Sequence, residues 1–394
     1  MADIPSFITR DPIIIRDEIK AEYESWLGRE IQPGQVEQLI TNVIAYREVL
    51  LLERFNAGMA QMLYQFSNAP ILDYIAALVS VERLPAAHAG CLLRFVLVPT
   101  HGAVVLPGGT RVSTADGKAI FETNDDVSIP MGVETVDVVA TAQTPGLAAN
   151  NIEIGKVTTI LDPIAWVSTV TNITVSGGGS DIESDASLRE RIKLAPHQYT
   201  TAGSRQSYIY HAKSANAAII DVSVFSFIFP PAPLITLPVG TLVATADGVF
   251  ETDDPIPIVP GKVCIVPLAD TNDYTQILAN VYDTCSPENV RPLCDTVIVA
   301  KPEPIYYNIK ADVVVKSGED TLQLKARIDA ALKDFTTTIS KKLGTSVIRT
   351  QLACICRVTG VYDVDMVSPA ANVTVMQHQY PVCTGIVVNV TGIQ

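Results

Sequence analysis

Residues 177–224 read GGGSDIESDASLRERIKLAPHQYTTAGSRQSYIYHAKSANAAIIDVSV. Gly177 to Gly179 stand at the end of a β-rich run and are read as a turn. Ser184 and Asp185 precede LRERI at the place where a short side-chain oxygen can accept from the free N–H groups of a first helical turn. Thr200 or Thr201 is placed to cap a second helix, and Ile219 to Val224 is apolar enough for a buried strand. The stretch therefore predicts turn, helix, loop, helix and strand. A glycine cluster before a helix can cradle a phosphate, but no Gly-Lys-Ser/Thr follows, which leaves the turn.

Outward from this stretch, composition sets the scale. The 394 residues suffice for two to four domains. Charged residues make up 18% against 48% hydrophobic, with mean hydropathy +0.27, more apolar surface than a free soluble monomer usually carries, and partner proteins are expected. The net charge of −14, with no run of Lys or Arg longer than two, argues against nucleic acid as a partner. No apolar run approaches the roughly 20 residues of a bilayer span, and the N-terminus lacks the apolar core of a secretory signal, so neither membrane insertion nor export is expected. The seven cysteines, Cys91, Cys264, Cys285, Cys294, Cys354, Cys356 and Cys383, lack paired CxxC spacing and are read as buried free thiols, a Cys285–Cys294 disulfide being the alternative.

Residues 1–82 read as a helical bundle domain. Asp11 and Pro12 form a helix start, with Ile15, Ile19, Tyr23 and Trp26 on one stripe ending at Gly28. A second helix is predicted from Pro33 to about Phe66, roughly 50 Å long. It carries two stripes: Val36, Leu39, Val43, Tyr46 and Leu50 on one side, and Ile40, Ile44, Leu51, Phe55, Met59, Met62 and Phe66 on the other. Pattern alone allows an internal bundle, completed by the first helix and Ile71 to Val81, or a bundle shared with other subunits. Val43, Leu50, Leu51, Phe55, Met59 and Met62 are the candidates for the shared one.

Residues 83–180 read as a β-rich domain. Inside it, Gly109 to Asp126 is GTRVSTADGKAIFETNDD, and Gly240 to Asp254 repeats the pattern as GTLVATADGVFETDD. Both copies predict a hairpin turning at Asp116-Gly117 or Asp247-Gly248. The paired acids Asp125, Asp126 and Asp253, Asp254 lack the regularly spaced oxygens of a calcium loop. Residues 181–226 form the helical segment and strand quoted above. The second hairpin lies in a proline-rich stretch, 227–261, read as an insertion at the periphery. Residues 262–368 then run β-α-β-β-α-β, the order of a ferredoxin-like unit, and 369–394 add a strand. The fold class is α+β multidomain: an N-terminal long-helix bundle, a central β-rich domain with the inserted hairpin, and a C-terminal ferredoxin-like βαββαβ domain.

No catalytic constellation stands out. His88, His101, His197, His211 and His378 are scattered and belong to no HExxH or HxxxH, and no Gly-x-Ser-x-Gly elbow is present. His197 and His211 can approach each other across two helices, with ordinary helix-surface histidines as the plainer reading. No enzyme, catalytic residue, cofactor or metal site is expected.

The string GG-x-D-x-E-S-D-x-x-L-R-x-R-I, then A-G-S, A-x-S-A and a closing V-x-V, with V-R-P-L-x-D following at Val290 to Asp295, resembles the baseplate J-like family of contractile phage tails, tailocins and related injection machines. The residues carrying the resemblance are Gly178, Gly179, Asp181, Glu183, Ser184, Asp185, Leu188, Arg189, Arg191, Ala202, Gly203, Arg291 and Pro292. Arg291 and Pro292 are read as fixing a turn. The resemblance implies a structural baseplate wedge subunit, forming a ring around the central hub and spike and transmitting the trigger for sheath contraction. Its implied partners are a second copy of itself, another baseplate wedge protein, and sheath-initiating and hub or spike proteins. Assembly in the bacterial cytoplasm and final residence in the baseplate of a tail follow. The alternative from the β-rich segments is a peripheral tail adhesin or carbohydrate-binding β protein.

Overall fold

The computed structural model describes residues 4–8, 11–200, 203–227, 235–271 and 273–393. Thr201 and Ala202 lie outside them. The chain is mixed α and β with a nearly closed β barrel in its middle, and it divides into two compact units: residues 1–83 with 184–195, and residues 84–183 with 196–394.

In the first unit, α1 spans Pro12–Leu27. Asp11 accepts from the Ile13 N–H at 2.9 Å, and Gly28 ends the helix at φ 68°. Helix α2, Val36–Gln61, is shorter than the expected Pro33 to Phe66. Gly34 takes φ 92° in a turn ahead of it, and at its end Gln61 captures the Asn68 N–H and the Phe66 carbonyl. The buried residues of α2 are Thr41, Ala45, Asn56 and Ala60. At intervals of four, eleven and four they share one narrow face, lying between the two apolar stripes rather than on either. Small side chains there let neighbouring backbone approach closely. Asn56 clasps the N-terminal arm, accepting from Phe7 and Ile8 N–H at 3.0 Å each and donating to the Ile8 carbonyl. Trp26, expected on the α1 core stripe, is exposed. Helix α3, Ile71–Ala77, packs beside α4, Asp185–Leu194.

The second unit opens with the barrel. Its strands are β1 (Gly90–Leu97), β2 (Val104–Leu106), β3 (Arg111–Thr114), β4 (Ile120–Thr123), β5 (Val127–Ile129), β6 (Thr135–Ala142), β7 (Val157–Ile160) and β8 (Val167–Asn172). Six of them run in the order β7-β3-β4-β6-β1-β8, and alternate residues such as Leu93, Phe95, Val112, Phe121 and Ala140 fill the core. Asn172 sews the two ends together. Fully buried, it accepts from the Lys156 and Val157 N–H groups at 3.0 Å and donates to the Glu153 and Thr174 carbonyls.

After helix α5 (Arg205–Ala215) come β9 (Ile219–Ser226), β10 (Thr236–Leu237), β11 (Leu242–Thr245), β12 (Gly248–Glu251), β13 (Ile256–Pro257), β14 (Lys262–Ala269), α6 (Thr275–Cys285) and β15 (Thr296–Ala300). Five strands form a sheet ordered β12-β11-β15-β14-β9, with β14 and β15 parallel. Strand β14 is buried on both faces, as the centre of such a sheet requires. Helices α5 and α6 pack on one face, and Phe225, Leu237, Val243, Ile258, Cys264 and Val266 form a core on the other.

This corrects the peripheral placement of residues 227–261. Their β11 pairs with β15, and Val243, Ala244, Leu237 and Ile258 are buried. The duplication itself is structural. In both copies a short outer ladder, β2 with β5 or β10 with β13, brackets the inner hairpin. At each base two threonines donate to one proline carbonyl: Thr110 and Thr123 to Pro107, Thr241 and Thr252 to Pro238. The turns differ, since Thr245 pairs with Gly248 and the second loop is only Ala246-Asp247.

The expected ferredoxin-like sheet over 262–368 is not formed. Strands β16 (Glu303–Val315), β17 (Val361–Ser368) and β18 (Gln379–Ile393) make a separate sheet ordered β17-β16-β18, covered by α7 (Thr321–Ser340) and α8 (Arg349–Cys356) around their own core. Strand β14 pairs directly with β15, which leaves no place between them for β16, and their outer edges are held by β9 and β11. The order β-α-β-β-α-β is right, but its halves belong to two sheets.

Candidate assembly interface

The residues of the quoted string serve three structural junctions. At the first, Gly177 to Glu183 runs antiparallel to Leu84 to Gly90. Gly90 and Gly177 exchange both backbone hydrogen bonds, as do Ala87 and Ser180. The glycines are therefore a ladder rather than the expected turn, and their missing side chains permit contact. A Cβ on Gly177 would stand 2.6 Å from Asp273 Cβ, and one on Gly179 would stand 2.5 Å from the Gly146 carbonyl oxygen. Gly178 has φ 82° against Gln276. Asp181 accepts from the Leu147 N–H at 3.1 Å. Glu183 is buried and accepts from the Leu84 N–H at 3.0 Å, while its own N–H donates to the Leu84 carbonyl.

At the second junction α4 joins the first unit. Ser184 caps it through the Ser187 N–H. Arg83 lies between Asp73 and Asp185, 2.7 Å from each, and its hydrogen bonds hold the Asp185 carboxyl below the ordinary 3.8. Arg189 donates to the Ser67 carbonyl and Asn68 Oδ1, and buried Arg191 to the Glu82 carbonyl. Leu188 is fully buried. The arginines thus bind chain segments of the helical unit, and residues 181–226 divide between two units. At the third junction Gly203, with φ 69°, meets Pro292: a Cβ there would lie 2.7 Å from Pro292 Cγ. Arg291 donates to the Ser286 carbonyl at 2.6 Å and the Asp295 carbonyl at 2.7 Å. Ser204, rather than Thr200, caps α5 through the Ser207 N–H.

The bundle candidates lie elsewhere. On α2 and at its C-cap, Val43, Leu51, Phe55 and Met62 are 61, 64, 47 and 69% exposed, while Leu50 and Met59 are half-buried. Leu39, Tyr46 and Leu50, with Pro12, Arg16 and Lys20 of α1, line an open groove of about 720 Å³. Asn56, Arg83, Asn172 and Asp273 escaped the sequence reading. Nothing local distinguishes them from surface polar residues, since their partners are distant in the chain.

The remaining chemistry is quiet. Among the described residues no group of three or more His, Cys, Asp or Glu is placed to hold a metal, and no described helix is long and apolar enough to cross a membrane. His211 packs edge-on against Tyr210, and His197 is exposed. All seven cysteines are free. Cys91, Cys264, Cys285 and Cys356 are buried, and burial pushes the Cys91 thiol up to about 12; Cys294 and Cys354 are exposed, against the expectation of burial.

The chain thus combines, in one unit, a barrel and further sheets held by backbone-capturing polar residues and, in the other, a helix with exposed apolar side chains. Two family descriptions match it: the baseplate J-like protein barrel domain over residues 93–179, and the baseplate J-like protein C-terminal domain over 307–389. Two separate regions of the chain thus match the baseplate J-like family. The second match covers the β16-β17-β18 sheet and stops short of β14 and β15, in keeping with the division of the two sheets. Baseplate protein J of Escherichia phage P2 is 28% identical over 203 residues, 52% of this chain and 58% of that protein. Baseplate protein gp47 of Escherichia phage Mu is 32% identical over 121 residues, 30% of this chain and 32% of that protein. These matches thus span less than two thirds of either relative's length. The cryo-EM structure of the anti-feeding prophage baseplate, 6-fold symmetrised, aligns over 94% of this chain and 90% of that one, at 13% identity and TM-score 0.39.

Proposed function

We propose that this chain is a structural, non-enzymatic subunit of the baseplate of a contractile tail or injection machine. As a wedge component it pairs with a second copy of itself and another wedge protein, contacts sheath-initiating and hub or spike proteins, and passes the contraction trigger through repacked interfaces. Assembly in the bacterial cytoplasm precedes its place in the tail baseplate. The two family matches and the names of both relatives support the baseplate role. The observation that carries the shared-bundle reading is α2: its buried face is narrow and lined by small residues, while Leu51 and Phe55 stand exposed. An apolar helix face of this kind marks an association surface.

The test is Leu51→Asp with Phe55→Asp. Both positions are exposed in the free chain, so its circular dichroism and melting should be unchanged, whereas burying two charges in an assembled bundle would cost several kcal/mol. The double variant is expected to be folded and absent from purified tails. Normal incorporation would refute the shared bundle, and global unfolding would place the stripe in an internal core.

A further inference from the structure

We infer that the outer edge of β12 is a docking site for an extended, basic segment of a partner protein, which adds to the five-stranded sheet as an antiparallel strand. The chain carries its own template for this addition. In the barrel, β4 is paired on both sides, with β3 and with β6. In the second copy β12 corresponds to β4 and β11 to β3. Strand β11 pairs outward with β15 as β3 does with β7, yet the sheet ends at β12 and no described strand takes the place of β6. The FET phenylalanine records the difference: Phe121 is 0% exposed beneath its neighbours, and Phe250 is 41% exposed although the residue opposite it, Val243, is fully buried. An open edge beside an exposed aromatic side chain is the geometry that strand addition completes.

Charge selects the occupant. From Ile235 to Gly261 the chain carries Asp247, Glu251, Asp253 and Asp254 and no Lys or Arg. A second copy pairing antiparallel about Phe250 would set Asp247 against Asp253 of its mate, and like charges placed opposite each other destabilise a ladder. A strand from another protein with Lys or Arg opposite Glu251 meets no such repulsion. The template adds shape: Phe121 and Thr123 face Ala142 and Ala140 across the ladder, and Glu122 faces Thr141. A small, basic, small triplet opposite Thr252, Glu251 and Phe250 therefore fits.

The probe is a labelled peptide with the sequence of β6, Thr135–Ala142, carrying Lys at the positions of Asp137 and Thr141 and one further Lys at each end; a control peptide carries Glu at all four places. Both are titrated against the full chain by fluorescence anisotropy, and amide exchange is followed over 248–252. The Lys peptide should bind, weaken as salt rises and slow exchange at 249–252, and the Glu peptide should not bind. Glu251→Lys with Asp253→Lys should weaken the Lys peptide by about tenfold or more and admit the Glu peptide. The inference fails if protection appears on 120–123 instead, meaning displacement of the barrel's own β6, or if charge reversal changes nothing. It also fails if neither peptide binds, or if the free chain forms a dimer in which 249–252 already exchange slowly.

Discussion

Gly179 has no room for a side chain: a Cβ would fall 2.5 Å from the Gly146 carbonyl oxygen and 2.8 Å from Asn150 Oδ1, the residue that exchanges hydrogen bonds with its backbone. Gly179→Ala should therefore behave as overpacking and cost about 1–3 kcal/mol, with a clear drop in melting temperature. Gly102→Ala, where the added Cβ meets nothing within 4 Å, should melt like the parent. Titration gives a second residue-scale test. Burial holds the His378 and His211 rings below the ordinary 6.5, Glu303 pulling His378 part of the way back. A histidine depressed by folding takes up its proton more readily when unfolded, so its stabilising contribution is full above about 6.5 and is lost as pH falls towards its folded value. Asp162, held at about 2 mainly by hydrogen bonds from Arg111, acts in the separate window below 3.8. Melting temperature should thus fall already between about pH 7 and 5, and His211→Gln with His378→Gln should flatten that first step. An unchanged profile in the double variant would assign the step to other groups.

Among the elements, the second hairpin shows what spacing can and cannot convey. Its own pairing is legible, because Asp-Gly and the repeated G-T-x-V-x-T-A-D-G specify local turn chemistry. Its destination is not, because the identity of β15 as neighbour is a long-range fact that leaves no period in the sequence. The proline-rich surroundings suggest a dispensable loop, yet Leu237, Val243 and Ile258 supply a full side of the core over Cys264, Val266 and Ile298. Replacing residues 230–258 by a short linker should therefore strip β15 of its antiparallel partner β11, uncover that core and yield aggregated or protease-sensitive protein. A soluble, cooperatively melting deletion variant would show that the five-stranded sheet stands without the hairpin. Helix α2 gives the converse lesson: its two stripes were visible as periodicity, but the buried face between them, Thr41, Ala45, Asn56 and Ala60, carries no large apolar side chain to mark it.

At the scale of the whole molecule, the order of elements from β14 to β17 was readable and their grouping was not. An order of strands and helices does not state which edges meet, and the ferredoxin-like order is satisfied equally by one sheet or by two. Cores decide between them. Tyr307, Ile309, Val313, Leu324, Ile328, Leu352 and Val388 bury one another in a cluster spanning only β16 to β18, whereas Ile265, Ile277, Leu278 and Val299 pack with Tyr208, Val222 and Ala244 from outside residues 262–368. A fragment of residues 303–393 therefore contains a complete sheet and both covering helices, and it should fold alone, with a cooperative melt and dispersed amide resonances. A fragment of 262–368 lacks β9 and β11 beside its first two strands and β18 beside β16, leaving three edges and two cores unfinished. It should be insoluble or molten, and self-association measured on it would report exposed core rather than a native interface. The comparison runs opposite to what a single ferredoxin-like unit demands: a well-folded 262–368 with an unfolded 303–393 would restore that unit and overturn the division into two sheets.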